Sequence, residues 1–133
     1  MPVFSMNGLV GKVSKATLNH SRVQLLVDPN LKLSVMDRKT RVVGFLESMD
    51  GVRLTAMVPT HAGIRPGDTL ITSGLGGIFP KGIPVGTVKD VRKSDLDVMR
   101  QMDVEPFQDF TTLEEVFVME KEPDWIVKEL LDE

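Results

Sequence analysis

The 133-residue chain has no cysteine, no tyrosine, one tryptophan and two histidines. Without cysteine there are no disulfides, thiolate nucleophiles, iron–sulfur clusters or thiolate zinc sites. Two histidines are too few for a multi-histidine metal centre, and no motif calls for a cofactor or a small-molecule substrate. No apolar run approaches the roughly 18 residues of a membrane-spanning helix. Met1–Gly11 shows no charged segment leading into an apolar one, so as given the chain is expected neither to span a membrane nor to direct its own export. Only seven aromatic residues (six phenylalanines and the tryptophan) and a net charge of −3 also argue against a nucleic-acid partner. Nucleic-acid binders usually combine a basic excess with stacking aromatics.

What is present is an ordinary globular composition, 41% apolar and 26% charged. Eleven glycines and eight prolines punctuate short apolar runs, which favours strands over helices. The charge is unevenly placed. Residues 1–46 hold seven Lys/Arg against Asp28 and Asp37, whereas residues 104–133 hold two bases and ten acids. Either these are solvated faces, or the basic front meets an anionic partner surface.

Strand follows strand along the chain. Leu9–Val13 is a short apolar stretch marked by Gly8 and Gly11, and Arg22–Val27 stops at the turn signal Asp28-Pro29-Asn30. Leu31–Met36 alternates apolar and polar residues, the pattern of a half-buried strand. Arg41–Leu46, with Gly44 as a bulge or close-packing point, pairs through Asp50-Gly51 with Val52–Val58. Thr69–Thr72, Val85–Val91, Leu96–Val104 and Glu115–Met119 complete the strands. Thr111–Glu115 reads as a helical turn capped by Thr111 or Thr112, and Asp124–Leu131 as a helix with Trp125 on its apolar side.

The segment from Gly74 to Gly86 is the most informative. It lacks the third glycine of a dinucleotide fingerprint, and Ile83 stands where a phosphate loop needs lysine. Its glycines, Gly74, Gly76, Gly77, Gly82 and Gly86, therefore serve backbone geometry, with the prolines fixing turns around Ile78-Phe79. The loop is either an ordered barrel connection or a hydrophobic docking element, with Ile78, Phe79 and Ile83 as the contact candidates. Ser73, Asp68, His20 and His61 invite a test for a serine-hydrolase triad. Asp68 and Ser73 are five residues apart on one strand and point to opposite faces, and no G-x-S-x-G elbow occurs. The carboxylate pairs Asp95/Asp97 and Glu114/Glu115 lie in charged, surface-like stretches where solvation is their expected role.

Asn7–Val13 (NGLVGKV), Ser21–Asn30 (SRVQLLVDPN) and above all Pro66–Val88 (PGDTLITSGLGGIFPKGIPVGTV) resemble the MreC family of rod-shape-determining proteins. Val104–Leu113 and Glu115–Met119 are similar to that family's closing strands, so the resemblance covers roughly residues 2–119. It implies an all-β fold of two small antiparallel barrels, the first incomplete at its N-terminus, with a short C-terminal helix added by the tail. In this reading residues 1–46 are the remainder of the first barrel, 47–119 the second barrel, and 120–133 an acidic helical tail. The implied function is a non-catalytic scaffold of the bacterial elongation machinery, on the extracytoplasmic side of the inner membrane. It would organise lateral peptidoglycan synthesis through self-association and contacts with a class B penicillin-binding transpeptidase, with MreD and indirectly with MreB.

Against the family pattern the chain begins in the middle of the first barrel. It lacks the N-terminal membrane helix and coiled coil, as a fragment or truncated chain would, and Glu120–Glu133 has no counterpart. The rival reading is a degenerate or unusual double-barrel serine hydrolase. A small oligonucleotide-binding barrel is a third, disfavoured by the acidic balance.

Overall fold

The structure, a computed structural model, describes residues 1–59, 63–92 and 99–120. They form ten strands: β1 (Pro2–Phe4), β2 (Leu9–Ala16), β3 (Ser21–Leu25), β4 (Leu33–Asp37), β5 (Val43–Ser48), β6 (Leu54–Pro59), β7 (Thr69–Thr72), β8 (Pro84–Arg92), β9 (Met99–Pro106) and β10 (Phe117–Val118). No helix occurs among the described residues, so none there is long and apolar enough to cross a membrane. The helix expected at Asp124–Leu131, and Trp125 with it, lies outside the described residues, as do His61 and the pair Asp95/Asp97.

Six strands close into an antiparallel barrel in the order β4-β5-β6-β9-β8-β7, and the other four form an open sheet in the order β10-β1-β2-β3. The fold is thus all-β, with one closed barrel and a second, open sheet. The sheets do not divide where the sequence suggested. The boundary between residues 46 and 47 runs through the middle of β5. The barrel takes β4 and β5 from the front of the chain, while β10 returns to pair with β1. Closure depends on the long-range pairings β4–β7 and β6–β9, which no local pattern encodes.

Alternation explains the barrel wall. β6 buries Leu54, Ala56 and Val58 on one side, as V-R-L-T-A-M-V predicts, and β4 buries Leu33 and Val35. These side chains join Leu46, Leu70, Val85, Val88, Met102 and Val104 in one apolar cluster. Leu9 and Leu26 reach the same cluster from β2 and the end of β3, so the open sheet leans on the barrel's core. A buried polar contact reinforces that seam: the Ser5 hydroxyl donates to Oε1 of Gln108, a residue 3% exposed.

Turn chemistry sets the strand ends. Between β5 and β6, Gly51 has φ +80° while Asp50 Oδ1 accepts from the N–H groups of Val52 (2.9 Å) and Arg53 (2.8 Å). Those bonds hold the exposed Asp50 carboxyl below its ordinary pKa. The strand expected from Arg41 starts at Val43, because Arg41 turns into the left-handed region at φ 65°. The turn expected over Thr111–Glu115 is organised instead by Asp109, whose Oδ1 accepts from the Thr111 N–H at 2.9 Å. The Thr111 hydroxyl bonds the same oxygen and, with that N–H, lowers the Asp109 pKa.

Candidate functional site

The connection from β7 to β8 is anchored by hydrogen bonds at its base. The buried Thr72 hydroxyl donates to the Pro80 carbonyl at 2.6 Å and accepts from the Ile83 N–H at 2.8 Å. The Thr72 and Gly82 N–H groups donate to the carbonyls of Ile83 and Thr72, each at 2.9 Å. On the leading side, the Ser73 hydroxyl donates to the Ser34 hydroxyl at 2.7 Å and accepts from the Leu75 N–H at 3.1 Å. These bonds fix both legs of a loop with no regular structure of its own.

Gly74 and Gly86 show why side chains are absent at their positions. Gly74, at φ +84°, lies where an added Cβ would come within 3.0 Å of the Lys81 Cβ on the opposite leg. Gly86, beyond the loop in β8, has extended backbone, and a Cβ there would run into the Glu105 carbonyl oxygen of β9. Its role is close strand approach, so it differs in kind from Gly74, Gly76, Gly77 and Gly82, which all have positive φ.

The three contact candidates separate. Phe79 turns down into the barrel cluster and is only 6% exposed, a correction to its expected place at the surface. Ile83 is half-buried and packs against the same cluster. Ile78 alone of the three stands out, 49% exposed, with Leu75 beside it at 63%. Neighbouring loop residues thus point opposite ways, one plugging the barrel and one facing solvent.

Ile78 borders two apolar grooves. One, of about 370 Å³, runs along the barrel wall past Leu75, Phe45 and Val43 to Lys32. The other, of about 320 Å³, lies between the loop and the open sheet, against Met1, Pro2 and Met119. In β5, Gly44 and Leu46 face inward, so Val43 and Phe45 face out, with Phe45 59% exposed between Ser34 of β4 and Met57 of β6. The solvated face of an antiparallel sheet ordinarily carries polar residues. Two large apolar side chains there, continuous with Leu75 and Ile78, make a patch of the kind that marks interaction surfaces. Val43, Phe45 and Leu75 escaped the sequence reading. Their one available signal was V-G-F, a glycine between two large apolar residues that share a strand face.

The described members of the suggested triad do not converge. Ser73 is bonded to Ser34, whereas Asp68 lies at the other end of β7 with its Oδ2 on the Arg65 N–H at 3.0 Å. The backbone of exposed His20 closes a turn with Thr17. No group of three His, Cys, Asp or Glu side chains able to hold a metal ion occurs among the described residues.

Comparison with known proteins agrees with this architecture. The family model described as "Rod shape-determining protein MreC, barrel core" matches residues 1–120. The cell shape-determining protein MreC of Escherichia coli strain K12 is 38% identical over 101 residues, covering 74% of this chain and 27% of that protein. The counterpart from Listeria monocytogenes is 28% identical and has 43% of its length covered, so the chain spans well under half of these relatives. The crystal structure of MreC from Pseudomonas aeruginosa superposes with a TM-score of 0.75 at 32% identity, over 80% of this chain and 70% of that one. The same fold recurs in a solved complex between penicillin-binding protein PBP2 and MreC from Helicobacter pylori. There the TM-score is 0.72 at 24% identity, over 86% of this chain and 73% of that one.

Proposed function

This chain belongs to the MreC family, and from that premise we propose that it is a non-catalytic scaffold of the bacterial elongation machinery, working through a docking surface on the barrel wall. The observation that carries this reading is the apolar patch of Ile78, Leu75, Phe45 and Val43 on a loop and strand already fixed by hydrogen bonds. A preformed surface loses little conformational entropy on binding. The proposed occupant is a class B penicillin-binding transpeptidase, a reading supported by the solved complex of the Helicobacter pylori protein with the penicillin-binding protein PBP2. Self-association, contacts with MreD and indirectly with MreB, extracytoplasmic placement and a role in lateral peptidoglycan synthesis belong to the same reading. The hydrolase alternative gains no support, since Ser73 is hydrogen-bonded to Ser34 and to no base among the described residues.

The test is Ile78→Asp, with binding to the extracytoplasmic part of such a transpeptidase measured by calorimetry and folding checked by circular dichroism. The expected result is a tenfold or greater loss of affinity with an unchanged β-type spectrum. Unaltered affinity would overturn the assignment of this surface.

A further inference from the structure

Two carboxyl groups at one end of the barrel have no part in the docking surface. Asp37, the last residue of β4, is completely buried. Its Oδ1 accepts from the Lys39 N–H at 2.9 Å, while its buried Oδ2 has no hydrogen-bond partner among the described residues. Asp68 belongs to the turn that launches β7, with its Oδ2 on the Arg65 N–H. The two turns are stitched side by side. In the β4–β7 ladder Asp37 stands opposite Leu70, and the Arg38 N–H donates to the Thr69 carbonyl at 3.0 Å. The ladder thereby sets the Asp68 carboxyl beside that of Asp37, near enough for each to shift the other's ionisation.

Two carboxylates in contact at a buried site cannot both ionise without repulsion and loss of hydration. One proton resolves both problems, because a protonated Asp37 gives its otherwise idle oxygen a hydrogen to donate to Asp68. We propose that Asp37 and Asp68 form a one-proton clasp that fastens the β4–β5 turn to the turn before β7 and loosens when the proton leaves as pH rises. The turn it holds is strained, with Arg41 at φ 65°, a conformation that costs a non-glycine residue energy. It is also tied by the Asp37 N–H to the Val42 carbonyl at 3.0 Å and the Arg41 N–H to the Asp37 carbonyl at 2.9 Å.

The surrounding groups divide the roles. Burial pushes the Asp37 carboxyl above its ordinary pKa, and contact with Asp68 adds to this, against the Lys39 N–H and the Thr40 hydroxyl, which pull it down. The Arg65 N–H pulls Asp68 below its ordinary value, helped by contact with Asp37 and by the charges of Lys39 and Arg65, against partial burial. As pH rises, Asp37 therefore holds its proton longer than Asp68 does. Because the folded state holds the Asp37 proton more tightly than the unfolded chain, this group's stabilisation is complete below the unfolded pKa. It is lost as pH climbs through the raised folded value. Asp68 acts in the opposite sense, contributing above the unfolded pKa and losing that contribution as pH falls through its lowered value. The turn runs directly into Val43, so the clasp steadies the end of β5 that lines the barrel-wall groove. That link rests on the docking reading above; the clasp itself does not.

Carbon-13 NMR titration of the side-chain carboxyls in the intact chain, with Asp37→Asn and Asp68→Asn alongside, tests the clasp. Asp37 is expected to titrate above the ordinary aspartate range and Asp68 below it, with Asp68→Asn shifting the Asp37 transition downward. Asp37→Asn retains an acceptor for Lys39 and supplies a permanent donor to Asp68. It should raise the melting temperature above the Asp37 transition and abolish any increase in amide exchange over residues 38–42 there. An Asp37 transition at or below the ordinary value overturns the clasp, as does one that Asp68→Asn leaves unmoved. A misfolded Asp37→Asn chain leaves the wild-type and Asp68→Asn titrations to decide.

Discussion

The closed barrel and the open sheet are built from the same kind of strand, yet they solve the edge problem differently. In the barrel each strand has two hydrogen-bonded neighbours, and most of the apolar cluster comes from its six strands and their connections. In the open sheet β3 and β10 each have one neighbour, both residues of β10 are exposed, and β2 ends in three exposed residues. The sheet is held chiefly by Leu9 and Leu26 reaching into the barrel's cluster and by the Ser5–Gln108 contact. Closure thus makes one region self-sufficient, whereas the other depends on its neighbour. A rigid wall is also the better place to display an apolar patch, because its backbone donors and acceptors are already paired.

The sharpest way to break this contrast is Phe79→Ala. It empties a space in the barrel cluster and should cost about 3–5 kcal/mol in denaturant unfolding. A cost near zero would mean that the loop does not plug the barrel. Gly86→Ala comes next, forcing β8 away from the Glu105 carbonyl, with an expected loss of about 1–3 kcal/mol. Phe117→Ala removes the ring stacked on Phe4 at 5.6 Å, at the dependent edge of the open sheet. It should cost only about 0.5–1.5 kcal/mol while selectively speeding amide exchange in β1 and β10. Equal acceleration in the barrel strands would show that the two regions open together. Ile78→Asp should have the smallest effect on stability, within about 0.5 kcal/mol, because it alters an exposed position. Its large effect is reserved for binding.

The same contrast marks what could be read from the sequence. Strands β4 and β6 announced themselves by alternation, and the β5–β6 turn by Asp50-Gly51. β1 is only three residues long, too short for any period to register, whereas the two residues of β10 fall inside the strand expected at Glu115–Met119. The barrel's true membership stayed hidden because closure joins β4 to β7 and β6 to β9 across intervening chain. At the docking surface, Gly74–Gly86 was recognisable as a special loop, but a loop has no face rule. Nothing local distinguishes Ile78 from Phe79; packing in three dimensions sends one outward and the other into the core. V-V-G-F-L, after Arg41, carries no polar residue to mark a face, so Val43 and Phe45 emerge as exposed only once Gly44 and Leu46 are seen to face inward.

The barrel-wall docking surface is tested most directly by a binding footprint: isotope-labelled chain titrated with the extracytoplasmic part of a class B penicillin-binding transpeptidase, followed by NMR shift and amide-exchange changes. The changes are expected to cluster at Val43–Phe45 and Leu75–Ile78, leaving the β2–β3 hairpin unaffected. A footprint confined to that hairpin, with the barrel wall silent, would contradict the assignment of this surface.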